Sequence, residues 1–249
     1  MDGETALPFL IALGAPCIGS FIAAASDRLP QGRAIVADRS RCESCDAQLR
    51  WYEMIPIWSW IAQEGRCRHC GADIGWTALG AELSALAVAI WALLVLPAGA
   101  WLPGLVLGWS LLLLSLMDLK TMLLPDRITL PLLVGGLIAA GVLAPTRFAE
   151  HALGALIGFA SLSALAILYE AARGRVGLGG GDAKLFAAIG AWIGWTGLPS
   201  VLLIAGIAGI AHAVLNGRGR LRAGDRIPFG PSLALGGWIV WLHGPLVWA

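Results

Sequence analysis

Long apolar stretches alternate with polar segments along the chain. The apolar stretches lie at 7–26, 79–96, 100–117, 128–144, 152–170, 183–197, 198–215 and 230–247. Most approach the roughly 20 residues that an α-helix needs to cross the hydrocarbon core of a bilayer. The sixth is short and could continue into the seventh as one kinked helix, but Gly197 and Pro199 favour a break. The pattern predicts an all-α, polytopic membrane protein with about eight transmembrane helices.

One polar segment, 27–78, is the only one long enough to fold by itself. A core of this size is marginal and usually needs a metal or a disulfide. The predicted organisation is a first transmembrane helix at 1–26, a small loop domain at 27–78 and a seven-helix membrane domain at 79–249.

Composition agrees with a membrane protein. Of the 249 residues, 58% are hydrophobic and 13% are charged, whereas soluble domains carry about 25% charged residues. The 33 glycines permit close helix packing, as in the GxxxG match at 154–158, and the 12 tryptophans suit bilayer interfaces. Basic residues do not alternate with exposed aromatic residues, so nucleic-acid binding is not predicted.

The positions of lysine and arginine predict the orientation. Sixteen of the 17 lie in 27–78, 118–127, 171–184 and 216–229, which share one side of the membrane if eight helices cross it. Arg147 lies on the other side. The positive-inside rule makes the basic side cytoplasmic. We therefore expect the loop domain in the cytoplasm and both termini on the opposite side.

Four of the five cysteines form two CxxC pairs in the loop domain, at Cys42, Cys45, Cys67 and Cys70. Such pairs supply four thiolates around a tetrahedral zinc ion, and a site filled by four cysteines leaves no open position, so its zinc is structural. Gly71 suits a tight turn beside a ligand. The alternatives are two separate, redox-active pairs, or a ligand set that includes His69. The fifth cysteine, Cys17, is interpreted as a buried small residue.

Two aspartates lie at the cytoplasmic ends of predicted helices. Asp118 ends the third apolar stretch in MDLKTMLLPD, and Asp182 precedes the sixth in GLGGGDAK. Ionisable side chains in such places are costly and are usually functional. The loop glycines Gly179, Gly180 and Gly181 are expected to take positive φ and to let a substrate strand approach closely. The helix start favours a carboxylate at Asp182, for which an N-cap is the simpler alternative.

A pair of carboxylates within hydrogen-bonding reach shares a proton, because the two cannot both ionise easily. The ionised member can take a proton from water, and the protonated member can donate to a carbonyl. The sequence therefore predicts acid–base hydrolysis of a peptide at the edge of the membrane. The four histidines lie beside no nucleophile motif, which disfavours serine or cysteine catalysis.

Three other charged residues are candidate substrate contacts. Asp126 follows a proline and precedes a helix, which is typical of an N-cap. Lys184 either steadies a carboxylate or substrate, or marks the inner face of the membrane. Glu82, at the start of the second apolar stretch, either contacts the substrate or lies in interfacial water.

Five ordered blocks resemble the type IV prepilin peptidase family, the membrane GxGD aspartyl proteases, over nearly the whole chain. They are GSFIAAASDRLP at 19–30, the cysteine segment 41–74, MDLKTMLLPD, GGGDAKLFAAIGAWIGW at 179–195 and IPFGPSLALG at 227–236. The chain departs from the family in the first block, where alanines follow GSFI. It departs again before Glu82, where GWTALGAE replaces the family's Arg-Tyr-Pro motif.

The resemblance implies an endopeptidase of the bacterial inner membrane, with Asp118 and Asp182 as its catalytic pair, 79–249 as its peptidase domain and both termini in the periplasm. Members cleave the basic leader of type IV prepilins or type II secretion pseudopilins after a glycine on the cytoplasmic face. Many also N-methylate the new N-terminus with S-adenosylmethionine. The zinc loop is associated with this bifunctional form.

Other functions remain open from the sequence. One is a peptidase without methyltransferase activity. Another is a non-enzymatic transporter or metal-responsive membrane protein, which would place its aspartates near the bilayer midplane on an ion path. A presenilin-like protease, which cuts within a membrane helix, is disfavoured by the zinc loop and by the Ile-Pro-Phe-Gly-Pro segment.

Overall fold

A computed structural model describes residues 3–35, 40–42, 44–174, 177–216 and 228–246. The α-helices are α1 Gly3–Arg28, α2 Trp58–Ala62, α3 Thr77–Val95, α4 Ala98–Thr121, α5 Asp126–Leu143, α6 Phe148–Arg173, α7 Gly180–Ile193, α8 Leu198–Asn216 and α9 Gly230–His243. Short 3-10 turns lie at Trp51–Met54, Pro145–Arg147 and Trp195–Gly197. Within the described ranges the only β structure is two isolated bridges. The predicted all-α fold is confirmed.

Each of the eight predicted apolar stretches contains one helix. Among the described residues, six helices are long and apolar enough to cross a membrane, namely α1, α3, α4, α5, α6 and α8. Helices α7 and α9 have 14 residues each, which is about 21 Å of helix against a hydrocarbon core of about 30 Å. The chain is a multi-pass membrane protein, and the count of eight full spans is approximate.

The sixth and seventh stretches form two helices, as the predicted break requires. Helix α7 ends at Ile193, and Gly194 takes a φ of 77°. A residue with a Cβ atom rarely adopts this conformation, so a glycine there ends the helix at low cost. Pro199 follows in the first turn of α8, where its missing N–H has no helical partner to lose.

The chain divides into two compact units, Met1–Trp101 and Leu102–Ala249. In the first unit α1 packs along α3, and Gly19 lies so close to the backbone of Ala81 and Glu82 that a Cβ atom there would clash. Cys17, on α1, is exposed, so its interpretation as a buried residue is wrong. The three-part division at 1–26, 27–78 and 79–249 stays a prediction.

Helix α7 is largely buried in the second unit, where it packs against α5, α6 and α9. The GxxxG glycines of α6 make this packing possible. A Cβ atom on Gly154 would clash with the backbone of Gly190, and one on Gly158 would lie 2.8 Å from the carbonyl oxygen of Phe186. This close fit holds α7 firmly and so positions Asp182 at its start.

Candidate active site

Asp118 lies in the last turns of α4 and is 5% exposed. Its Oδ2 atom accepts a hydrogen bond of 2.9 Å from the backbone N–H of Gly230, the first residue of α9. The first N–H groups of a helix have no partner within the helix, so they favour an anion. A Cβ atom on Gly230 would lie 2.7 Å from the same oxygen. The start of α9 therefore holds one carboxylate oxygen and requires glycine to do so.

Asp182 lies in the first turn of α7 and is 8% exposed. It is not the N-cap, because Gly179 occupies that position, so the simpler alternative from the sequence is wrong. The backbone N–H of Gly179 interacts with the Asp182 carboxylate. The Oδ1 atom is buried without a hydrogen-bond partner in the described chain. Buried polar atoms are normally paired, so this oxygen is suited to a shared proton or a substrate donor.

The structure brings these two aspartates into one site. They lie close enough for the negative charge of Asp118 to act on Asp182. The connection between α4 and α5 also reaches this place, since a Cβ atom on Gly181 would lie 2.9 Å from the Leu124 side chain. Four segments therefore converge: the end of α4, the connection from α4 to α5, the start of α7 and the start of α9.

The loop glycines do not provide left-handed backbone. Gly179 has a φ of −74°, Gly180 and Gly181 belong to α7, and none of the three has positive φ. The expected conformational role is therefore wrong, because the helix begins within the glycine run. Close approach does occur, since Gly181 packs on Leu124 and a Cβ atom on Gly179 would lie 3.4 Å from Asp182 Oδ2.

Asp126 and Lys184 form an ion pair in this unit. The predicted N-cap role of Asp126 is wrong, because Pro125 takes the cap position and Asp126 begins α5. The Lys184 ammonium instead donates to both carboxylate oxygens of Asp126, at 2.6 and 2.8 Å. Lys184 thus steadies a carboxylate, one of its two predicted roles. The pair is partly exposed, so its main effect is to connect the starts of α5 and α7.

Glu82 lies in the second turn of α3 in the first unit and is 6% exposed. Its Oε2 atom accepts a hydrogen bond of 2.6 Å from the backbone N–H of Ile57, and the hydroxyl of Ser20 also interacts with the carboxylate. Because the side chain is buried between α1, α3 and the loop, the interfacial-water alternative is wrong.

The four predicted cysteine ligands form one cluster, with all sulfur atoms within 4.8 Å of one another. The short distances join the two CxxC turns, at 3.8 Å between Cys42 and Cys70 and 4.0 Å between Cys45 and Cys67. A tetrahedral zinc ion with bonds of about 2.3 Å has sulfur–sulfur edges of about 3.8 Å. The cluster can hold a metal ion and fits zinc. The alternative of two separate cysteine pairs is wrong, and His69 is not part of the described group.

The backbone of both CxxC turns favours thiolates. The N–H groups of Cys45 and Ser44 bond to the Cys42 sulfur and lower its pKa to about 7. In the other turn, the backbone N–H groups of Cys70 and His69 lower the pKa of Cys67 in the same way. The thiolate is the form that binds metal, so the turns are preorganised for an ion.

The residue after each CxxC turn has positive φ. The values are 55° at Asp46 and 71° at Gly71, so the predicted tight turn at Gly71 is confirmed. An antiparallel bridge flanks each turn, joining Arg41 with Gln48 and Arg66 with Asp73. The two halves of the cluster therefore repeat one local structure.

Sequence reasoning missed the role of Gly230 and the environment of Glu82. The sequence signal for Gly230 is a glycine followed by proline at a helix start, where the backbone N–H stays available. The contacts of Ser20 and Ile57 with Glu82 have no sequence signal, because they depend on how α1 and the loop pack on α3.

Two family models match the chain. Residues 13–96 match the bacterial peptidase A24 N-terminal domain, and residues 105–214 match the type IV leader peptidase family. The interval between these matches contains the boundary between the two compact units, after Trp101.

Curated relatives carry the name prepilin leader peptidase/N-methyltransferase. One from Burkholderia pseudomallei (strain 1026b) is 44% identical over 230 residues, covering 91% of this chain and 72% of the relative. One from Aeromonas salmonicida (strain A449) is 39% identical over 214 residues, covering 84% and 73%. One from Dichelobacter nodosus is 39% identical over 216 residues, covering 84% and 73%. No solved structure matches the chain.

Proposed function

The chain belongs to the type IV leader peptidase family, and from this premise we propose that Asp118 and Asp182 cleave the leader of type IV prepilins. The protein is a membrane enzyme with protease and methyltransferase activity, as the family and its relatives indicate. The observation that supports the catalytic pair best is the burial of both carboxylates in one site, with one of them held by the Gly230 N–H.

In the proposed reaction one carboxylate is ionised and the other is protonated. The ionised group takes a proton from water, the water oxygen attacks the scissile carbonyl carbon, and the protonated group donates to the carbonyl oxygen. The tetrahedral intermediate then collapses, the C–N bond breaks, and the amine nitrogen leaves with a proton from the pair. No acyl-enzyme forms. The Gly230 N–H orients Asp118 for this exchange.

The substrate is a prepilin or a type II secretion pseudopilin whose basic leader is cut after a glycine on the cytoplasmic face. The distribution of lysine and arginine supports this sidedness in a bacterial inner membrane, with both termini in the periplasm. Asp126 and Lys184, paired across the starts of α5 and α7, position the substrate beside the aspartates. Gly180, where a Cβ atom would meet open space, leaves room for its backbone.

The second reaction methylates the new N-terminal amine. S-adenosylmethionine, when bound, would supply the methyl group to the amine nitrogen, and S-adenosylhomocysteine and the amine proton would be released. A structural zinc ion, held by the four cysteines, stabilises the loop domain. The names of the relatives favour this bifunctional enzyme over a peptidase alone and over a transporter.

The proposed function is tested by incubating the purified protein with a candidate prepilin, with and without S-adenosylmethionine. We expect cleavage after the glycine in both reactions, because hydrolysis needs only the aspartate pair. With the methyl donor present, intact mass of the product should increase by one methyl group. Uncleaved prepilin would contradict the proposed peptidase activity. A cleaved but unmethylated product would support a peptidase without methyltransferase activity.

Replacing Gly230 with alanine is expected to reduce prepilin cleavage by roughly a hundredfold, because misplacing a catalytic group by about 1 Å can have this effect. The added Cβ atom would lie 2.7 Å from Asp118 Oδ2 and force the carboxylate away. Single-turnover cleavage measures the change. Gly206→Ala in α8 is the matched control, since a Cβ atom there meets open space. Similar rates for both variants would show that Gly230 does not position Asp118.

A further inference from the structure

The first unit contains a cavity of about 1390 Å³ between α1, the cysteine loop, α2 and the start of α3. Pockets for small molecules usually measure about 300–1,000 Å³, so this cavity can hold a small molecule and part of a peptide. Its lining residues all belong to the first unit, whereas Asp118 and Asp182 belong to the second.

Glu82 is a buried carboxylate in the lining of this cavity. It is 6% exposed, and the groups that hydrogen-bond to it, the N–H of Ile57 and the hydroxyl of Ser20, are both neutral. No lysine or arginine forms an ion pair with it among the described residues. Burying a carboxylate without an opposite charge is costly. The site is therefore suited to a cationic ligand.

The surroundings hold this carboxylate in place. Ile57 has a φ of 63°, which a β-branched residue rarely adopts, and its N–H donates to Glu82 at 2.6 Å. On the other side, Gly19 contacts the backbone at Glu82 directly and thereby brings Ser20 beside the carboxylate. The loop and α1 thus fix the position of the Glu82 carboxylate, and the described residues provide no counter-ion for it.

Aromatic side chains also line the cavity. Trp51, Tyr52 and Trp60 all contribute to its wall. The flat faces of such side chains stack on planar rings such as purines. The cavity therefore combines a place for a nucleoside with a buried negative charge.

We propose that this cavity binds S-adenosylmethionine, with the Glu82 carboxylate facing the sulfonium; the proposal rests on the methyl-transfer function proposed above. The donor consists of a purine nucleoside joined to a fixed positive charge, which matches the two features of the wall. The pilin amine is a poorer match for Glu82. A carboxylate beside it would favour its protonated form, which cannot attack the methyl group.

The test is equilibrium binding of S-adenosylmethionine and S-adenosylhomocysteine to the purified full chain and its variants. Glu82→Gln is expected to weaken binding of the donor by roughly tenfold or more, because a buried charge pair is lost. Binding of S-adenosylhomocysteine, which lacks the sulfonium, should change much less. Glu82→Asp keeps the charge and should keep the preference for the donor. Thermal unfolding and zinc content of each variant should match the wild type and thus report a folded protein, and prepilin cleavage is measured alongside.

Glu64→Gln is the matched control, because it removes the same charge from an exposed residue of the same unit that does not line the cavity. Equal weakening of both ligands by Glu82→Gln, or no weakening, would overturn the proposal. Loss of cleavage with donor binding intact would also overturn it and assign Glu82 to the prepilin leader. Failure of the wild type to cleave prepilin would contradict the proposed peptidase function. The binding measurements would still test the cavity proposal, because they do not depend on cleavage.

Discussion

Replacing Asp118 or Asp182 with asparagine is expected to leave a folded protein whose rate of prepilin cleavage falls by about 10³-fold or more. Proton transfer by positioned groups contributes roughly 10²–10⁴-fold to a rate, and residues that act as a unit lose most of their effect when either is removed. Asparagine has nearly the same shape, and its carbonyl can still accept the hydrogen bond from Gly230 at position 118. The double variant should therefore be scarcely slower than either single variant.

Single-turnover cleavage at matched protein concentration measures this effect, and zinc content and thermal unfolding report the fold. Glu150→Gln, at the start of α6, removes a carboxylate from an exposed ion pair with Arg147 in the same unit and serves as the control. It should cleave at the wild-type rate. Full processing of prepilin by either asparagine variant would remove the catalytic pair from the proposed mechanism.

Removing zinc is expected to unfold the loop domain. Structural zinc contributes about 10–16 kcal/mol to the folding of small zinc-finger peptides, and a segment as short as 27–78 has little core to replace it. The protein should contain one zinc ion per chain, and a strong chelator or Cys67→Ser should remove it. Hydrogen exchange in residues 40–76 should then increase sharply, because both CxxC turns depend on the ion.

Cys17→Ser is the matched control for the zinc prediction, since Cys17 lies on α1 and is not among the clustered cysteines. It should retain the metal and the protection of the loop. A metal-free protein with four freely titrating thiols and an ordered loop would contradict the structural role of zinc.

The helices could be predicted because their cause is local. Each apolar stretch buries its backbone hydrogen bonds within itself, as a bilayer requires, and the structure contains a helix at every predicted stretch. The boundaries were less predictable. Asp126 is typical of an N-cap, but Pro125 takes that position and Asp126 pairs with Lys184, 58 residues away along the chain. A local sequence pattern around Asp126 cannot predict a partner as distant in the chain as Lys184.

The cysteine cluster was predictable for a different reason. Two CxxC turns supply ligands at a fixed spacing, so the chemistry of the ligands requires them to meet, and the sulfur atoms do lie together. Nothing comparable links Glu82 to Ile57 or Ser20. Their contact depends on the close packing of α1 on α3 at Gly19, which the sequence does not reveal.

By itself, the sequence determined a multi-helix membrane protein, a four-cysteine metal cluster and two aspartates at helix ends, because hydrophobic length and ligand spacing act over short distances. Only the tertiary structure decided that the start of α9 holds Asp118 through Gly230 and that Glu82 is buried with no basic partner among the residues that the structure describes. Both features depend on glycines, Gly230 and Gly19, that let segments distant in the sequence approach more closely than a Cβ atom would allow. Close packing of whole helices sets that distance.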